Sequence, residues 1–337
     1  PFQVFVLASI FGFYADIDTN LMEGERQLLP TEFVRDGKIY DHRRLCTDFT
    51  YFSPRKSDKT GLAAFVQVVF FLLEDYNAEI YCCANASDQA KLLYSRTRGL
   101  IAQMDDGNRI RSTQTVTDWR QAYKGVHNSL IMPLTAGGRT KDGLYAQLCC
   151  ADEYGSAAYV NGASDMGKLV SVVESSMGPR REPMTFISTT AGINTTGPFV
   201  DKLAGIKQLL EAELDPEAEH DLSTDRQMCL LLEPDEWEMA DTELLLTSKD
   251  VRRKVNPMLG IIVQHSFYDD EIAKARQNPE KMNEVITKLL NVYKTGRVKD
   301  WLKPDDIRPL QIDRRIDDCI DSDGWLVFCG LDFSKGD

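Results

Sequence analysis

The sequence predicts an α/β fold: a mostly parallel sheet flanked by helices, followed by a smaller, mainly helical subdomain. Two observations predict it. From about residue 47 to 200, short strand-like runs alternate with helical ones, the pattern of repeated β-α units. Between the first clear strand and its helix lies "SPRKSDKT" (53–60), and about ninety residues later another strand ends in Asp-Glu.

The elements follow in order. "TDFTYFS" is the first clear strand. After Lys59, Leu62, Phe65, Val66, Val69, Phe70 and Leu73 recur at helical spacing over so wide an arc that the helix should be buried. "EIYCCAN" is the next strand, and Ser87 is placed to cap the helix of "DQAKLLYSRTRGLIAQ". "HNSLIMPLTA" and "LYAQLCCADE" are two further strands, "DMGKLVSVVESSM" a helix, "PMTFISTT" a strand, and 199–214 a helix. Beyond an acidic linker, "RQMCLLLEP" fits one more strand, 246–303 is mainly helical, and "GWLVFCGLDFS" closes the chain as a strand.

With 337 residues, 43% of them hydrophobic, two or three domains with proper cores are expected. The longest apolar stretch, "LAAFVQVVFFLL", is too short to span a membrane, so a soluble protein is expected. Eight cysteines include the pairs Cys82-Cys83 and Cys149-Cys150 but no C-x-x-C spacing, which points to a reducing, cytoplasmic compartment and against a zinc site. A net charge of -13 argues against nucleic acid bound over the whole surface and leaves room for a local basic groove. The opening at "PFQ", without Met, and the stop at "GLDFSKGD" lead us to expect that one or both ends are cut.

A phosphate loop lies between a strand and a helix, because the helix's free N–H groups and dipole complete the anion site. Its usual form, G-x-x-x-x-G-K-[ST], needs glycine for close backbone approach, lysine for charge and a hydroxyl for magnesium. Lys59 and Thr60 fit, whereas Asp58 stands where glycine is expected. Asp152 and Glu153, closing "LCCADE", supply the second requirement: an Asp to orient magnesium and a Glu to polarise the attacking water. Thr189, Thr190 and Gly192, in "FISTTAG", supply small polar residues suited to sensing the γ-phosphate. Each stretch alone also fits an ordinary solvated end or loop; the three in order on a βα pattern favour nucleotide chemistry.

"SPRKSDKT", "ANASDQAKLLY", "KDGLYAQLCCADEYGSA", "SSMGPRREPMTFISTTAG" and "RRKVNPMLG" together resemble successive blocks of the large terminase subunits of tailed bacteriophages. The resemblance covers nearly the whole chain in the right order. It implies a P-loop NTPase core of the ASCE type at 1–215, an acidic linker and helical lid at 216–318, and the first strand of an RNase H-like nuclease at 319–337. It further implies ATP with Mg2+, Gln3 at the adenine, and Pro54, Arg55, Lys56, Ser57, Asp58, Lys59 and Thr60 around the phosphates. Asp152 becomes the magnesium-associated acid, with Thr60, and Glu153 the catalytic base. Thr189, Thr190 and Gly192 become the coupling motif. Arg180, Arg181 or Arg139 are candidates for an arginine acting on a neighbouring subunit's nucleotide. Asp332 becomes a metal ligand of an incomplete nuclease site, so this chain alone should not cut DNA. The implied partners are double-stranded DNA held by its phosphates, through basic segments such as "VRRKV" or "KTGRVKDW", the portal protein, the small terminase subunit, and other copies in a ring. The implied location is the cytoplasm of a bacterial host.

Asp58 leaves two alternatives open. Aspartate tolerates the left-handed backbone that glycine would supply, but at about 4 Å and an effective dielectric near 20 its charge repels each negative phosphate charge by about 4 kcal/mol. A catalytically silent relic of the fold is therefore the first alternative, and a helicase-like ATPase, sharing a glutamine, a phosphate loop and a D-E pair, is the second.

Overall fold

The computed structural model describes residues 2–73, 77–104, 113–117, 120–124, 129–136, 143–160, 163–192, 196–215 and 225–293. The chain divides into two compact units, Pro1–Thr295 and Gly296–Asp337, and the described residues belong to the first. Arg139, Asp332, "KTGRVKDW" and the terminal strand lie outside the described residues.

Eleven strands are described. Tyr14–Met22 (β1), Glu32–Arg35 (β2) and Lys38–Arg44 (β3) make a small antiparallel sheet in the order β1-β3-β2. The main sheet contains Asp48–Phe52 (β4), Glu79–Ala84 (β5), Thr113–Thr117 (β6), Arg120–Lys124 (β7), Leu130–Thr135 (β8), Ala146–Asp152 (β9), Met184–Thr189 (β10) and Gln227–Leu231 (β11). Its order is β11-β4-β10-β9-β5-β8-β7-β6, with the first six strands parallel and a β6–β7 hairpin adding an antiparallel edge. This is the α/β architecture of a P-loop NTPase core.

Parallel neighbours need crossovers, and helices supply them. Lys59–Leu73 (α2) follows β4, Ser87–Met104 (α3) follows β5, Asp165–Ser175 (α4) follows β9 and Pro198–Glu213 (α5) follows β10. Strands covered on both faces read as unbroken apolar runs, and all of β9 and β10 is buried. One core, on one face, joins Phe49, Val66, Phe70, Leu93 and Phe186. Cys149, Val170, Ile187 and Phe199 belong to a second core on the other face. A third core, around Leu246, Val251, Tyr268, Ile272 and Leu289, belongs to the helical region after β11.

The order places β10 between β4 and β9, although α2 carries the chain from β4 to β5, three strands away. The loops after these strands therefore diverge and leave a crevice at their carboxyl ends, the usual ligand position of open α/β sheets.

Several features differ from the sequence reading. The first helix, Phe2–Phe11 (α1), and the β1-β3-β2 sheet were not foreseen; in the sheet, β1 and β3 mix charged and polar residues with apolar ones and lack a plain apolar face. In α2, Leu62, Val66 and Phe70 are buried as expected, but Phe65 and Leu73 are exposed, and Gln67 takes a core position instead. Gln67 is tolerated there because its Oε1 accepts from Thr97 Oγ1 at 2.7 Å. β11 joins the main sheet beside β4, so the sheet extends past residue 215. The basic run "VRRKV" offers little free charge: Arg252 is buried and bonded to Asp269 and to the Leu246 carbonyl, and Lys254 pairs with Asp235 and Glu238.

Candidate functional site

β4 delivers the loop 53–58 to the crevice, and side chains of the loop itself shape it. Ser57, fully buried, donates to the Pro54 carbonyl at 2.8 Å and lies 2.6 Å from Ser53 Oγ. Tyr51, beneath the loop, donates its hydroxyl to the Ser57 carbonyl at 3.1 Å. Lys56 (φ 68°) and Asp58 (φ 62°) are left-handed, so the position at which the motif expects glycine has the conformation glycine would take.

The Asp58 carboxylate is folded back over the first turn of α2. A Cβ added to Gly61 would meet its Cγ and Oδ2 at 2.7 Å and its Oδ1 closer still. Gln3 Nε2, on α1, lies 3.5 Å from the same Oδ2 and 3.9 Å from Met258 Sδ. A carboxylate over a helix N-terminus is favoured by the helix dipole. The charges acting most on Lys59 are Glu153, Asp152, Lys288 and Arg55, and Asp58 is not among them. Gln3 thus meets the 53–58 loop and the "NPMLG" segment at one place.

Lys59 is buried and spends all three of its N–H donors: on the Ser53 carbonyl (3.2 Å), the Pro54 carbonyl (2.8 Å) and Thr190 Oγ1 (2.6 Å). Burial pulls its pKa down, against the pull of Glu153 and Asp152. Thr60, the next residue, donates to Asp152 Oδ2 at 3.2 Å. Asp152 is buried, and its Oδ1 accepts from Ser188 Oγ at 2.8 Å and from the Glu153 N–H at 3.1 Å. The parallel register makes this possible, since Ser188 pairs with Asp152 across β10 and β9.

Glu153 is left-handed (φ 55°) and half-buried. Burial raises its pKa, and Lys59 is the largest influence opposing that rise. Among the described residues nothing donates a hydrogen bond to its carboxylate. Such a carboxylate is free to take a proton from a water in the crevice. A site for Mg2+ needs few protein ligands, because that ion keeps several waters and takes phosphate oxygens. The Thr60 hydroxyl and Asp152 carboxylate fit it, although no group of three metal-binding side chains occurs among the described residues.

The end of β10 touches both halves. Thr189 Oγ1 accepts from the Gly155 N–H at 2.8 Å, the Thr189 carbonyl accepts from the Ser53 N–H at 3.0 Å, and Thr190 accepts from Lys59. Gly192 is buried just beyond. Arg55 is exposed and pairs with Glu284 at 2.8 Å. Arg180 and Arg181 precede β10, at the far end of the strands. Arg180 lies over the Tyr145 ring and donates to the Tyr145 and Asn77 carbonyls. Arg181 holds both oxygens of the buried Asp41.

Two residues went unnoticed in the sequence, Lys288 and Asn291. Lys288 Nζ donates to the Ala191 carbonyl and Asn291 Oδ1 accepts from the Ala191 N–H, both at 2.8 Å. Asn291 follows a helical run and has φ 58°, so an asparagine at a helix C-terminus was the available signal.

A model of the family described as "Terminase large subunit, ATPase domain" matches residues 33–208, more than half of the chain. The chain belongs to the terminase large subunit ATPase family. The match covers the 53–60 loop, Asp152 and Glu153, and the Thr189–Thr190 end of β10. Among curated proteins, "Protein YmfN" of Escherichia coli (strain K12) is 26% identical over 159 residues, 47% of this chain and 30% of that protein. Among solved structures, the HK97 bacteriophage large terminase shares the fold, with a TM-score of 0.58 at 19% identity over 73% of this chain and 47% of that one. The large terminase from a thermophilic bacteriophage aligns at a TM-score of 0.40 and 10% identity, over 77% of this chain and 52% of that one. This terminase chain thus spans about a third of its curated relative and about half of the HK97 protein. Among the described residues no helix is long and apolar enough to cross a membrane.

Proposed function

We propose that the chain is the ATP-hydrolysing part of a motor that drives double-stranded DNA into a viral capsid. One observation carries the reading. Thr60 and Asp152, on separate elements and far apart in the chain, meet at 3.2 Å beside Lys59, and next to them stands Glu153, whose carboxylate has no hydrogen-bond donor among the described residues. A structural polar cluster would satisfy that carboxylate, whereas phosphoryl transfer needs it free.

Lys59 would leave the Ser53 and Pro54 carbonyls for the β- and γ-phosphate oxygens, and the N–H groups opening α2 would complete the cradle. Thr60 and Asp152 would hold Mg2+, which supplies charge neutralisation at the phosphates when bound. Glu153 would orient the attacking water and accept its proton. Thr190 loses its Lys59 partner when that lysine turns to the phosphates, so Thr189, Thr190 and Gly192 would carry the signal of occupancy along β10. Gln3 would face the base. The family supports a portal protein, a small subunit, a ring of copies and the bacterial cytoplasm as context, with Arg139, Arg180 or Arg181 reaching a neighbour's nucleotide. By the same resemblance, Asp332 would bind divalent metal in a nuclease site. A helicase-like ATPase is disfavoured by the family match. The silent relic is the competing outcome of the test.

Magnesium-dependent phosphate release from ATP, with and without linear duplex DNA, tests the proposal. Turnover that rises with DNA and vanishes in Glu153→Gln supports it. Turnover only after Asp58→Gly assigns the chain to the silent class, and DNA-independent turnover removes the motor reading.

A further inference from the structure

We infer that Lys288 is a second phosphate-facing cation, delivered in cis by the turn that leaves the helical region, and that Asn291 is the positioning residue that aims it. The inference rests on the ATPase reading above.

The turn Val285–Leu289 is π-helical, a form that recurs at functional sites because it displaces one residue from the regular ladder. It is fastened at three points. The Lys288 carbonyl accepts from the Arg55 N–H of the phosphate loop at 2.7 Å. Asn291, fully buried, accepts from the Ala191 N–H and donates to the Leu232 carbonyl, each at 2.8 Å, tying the turn to the residues just beyond β10 and β11. Lys288 Nζ itself donates to the Ala191 carbonyl at 2.8 Å.

The consequence is a pair of ammonium groups on consecutive residues. Lys59 ends on Thr190 Oγ1, and Lys288 ends on the carbonyl of Ala191. Lys59 has three acceptors, but among the described residues Lys288 has one, leaving two N–H donors for something else. Half-buried, it lies within electrostatic reach of Glu153, Arg55 and Glu284, and burial pulls its pKa down. Glu284 is already paired with Arg55. A strut to one carbonyl needs only a neutral donor, and removing an ammonium from water costs free energy unless an anion approaches it. The γ-phosphoryl group is the anion the site is built to receive. Its transition state spreads charge over peripheral oxygens, where an aimed cation is most effective. Because Lys288 belongs to the segment that leads out of the helical region, its contact would also inform that region whether the γ-phosphate is present.

Calorimetric titration of the full 337-residue chain with magnesium adenylyl imidodiphosphate and, separately, magnesium ADP tests this. Lys288→Met should weaken the triphosphate analogue about tenfold, the worth of one charge-assisted hydrogen bond, and change ADP by less than about twofold. Lys288→Arg should keep the native discrimination, and Asn291→Ala should lose part of it while circular dichroism stays native. Equal weakening of both nucleotides in Lys288→Met, or no change in either, overturns the inference and leaves the ATPase reading intact. If the native chain binds neither nucleotide, the ATPase reading fails and this inference with it.

Discussion

Asp58 is accommodated because its carboxylate rests on the bare Cα of Gly61, and that claim can be tested by putting a methyl group there. In Gly61→Ala the new Cβ would lie 2.7 Å from Asp58 Cγ and Oδ2 and nearer still to Oδ1, against an ordinary carbon contact of about 3.5 Å. The carboxylate must swing off the helix. It then loses the dipole interaction, worth about 0.3–1 kcal/mol, which offsets the gain of about 1 kcal/mol that alanine brings to a helix over glycine. Thus Gly61→Ala should be close to neutral in the native chain and stabilising by about 1 kcal/mol in Asp58→Gly. Allowing for some strain, the coupling between the two sites is about 1–2 kcal/mol, or roughly 1.5–3 °C in Tm for a chain of this size. Binding should show the same coupling. A displaced carboxylate about 6 Å from a phosphate oxygen costs about 3 kcal/mol before screening, so Gly61→Ala should weaken the magnesium ATP analogue at least about tenfold, and adding Asp58→Gly should restore it. The assays are thermal melts and titrations of the four members of the cycle. Additivity in Tm to within about 1 °C, or equal affinity in Gly61→Ala and the native chain, would show that the carboxylate does not rest where the structure places it.

Other consequences follow from single contacts. A Cβ on Gly155 would meet Thr189 Oγ1 at 2.7 Å, with the Thr190 carbonyl and Tyr293 hydroxyl at 3.2 Å, so Gly155→Ala should cost about 1–3 kcal/mol and depress turnover together with stability. Arg181→Ala leaves the fully buried Asp41 with Arg43 and Thr31 alone, so it should lower Tm without altering ADP affinity; unchanged Tm would remove the structural role and favour the proposal that Arg181 acts on a neighbour's nucleotide. Glu32 is held at about 2 by its hydrogen bonds to Arg26 and to the Leu29 N–H. A depressed carboxylate stabilises the fold above its unfolded pKa, and that contribution is lost as pH falls from about 4.5 toward 2. Acid melts should therefore be less steep in Glu32→Gln, and identical slopes would show that the pair contributes nothing.

The parallel strands were legible because burial on both faces forces unbroken apolar runs, as in Leu148-Cys149-Cys150-Ala151, and because β4, β5, β9 and β10 are each followed by a helix of plain periodicity. The 53–60 loop and the Asp152-Glu153 pair stand out by position: each lies at the end of a strand. The β1-β3-β2 sheet was not legible, since Asp16, Asp18, Lys38 and His42 present no apolar alternation, and their cross-strand contacts are visible only once β1 lies against β3. Nor was the fate of Asp58: no spacing rule says that its carboxylate will turn toward Gly61 and Gln3. Lys288 and Asn291 escaped notice because their partners, Ala191, Leu232 and Arg55, are distant in sequence and are backbone groups, which leave no mark on residue type. In "VRRKV" the pairing of Arg252 and Lys254 was hidden for a related reason: Asp269, Asp235 and Glu238, which pair with them, lie outside the run.

We propose that Lys59 and Glu153 divide the work, one holding the phosphates and the other activating water. A single preparation of each variant decides it, by measuring ATP-analogue affinity and phosphate release side by side. Glu153→Gln should bind as the native chain does and release phosphate at least about a hundredfold more slowly, while Lys59→Ala should lose binding itself. Native turnover in Glu153→Gln, or undiminished binding in Lys59→Ala, would contradict it.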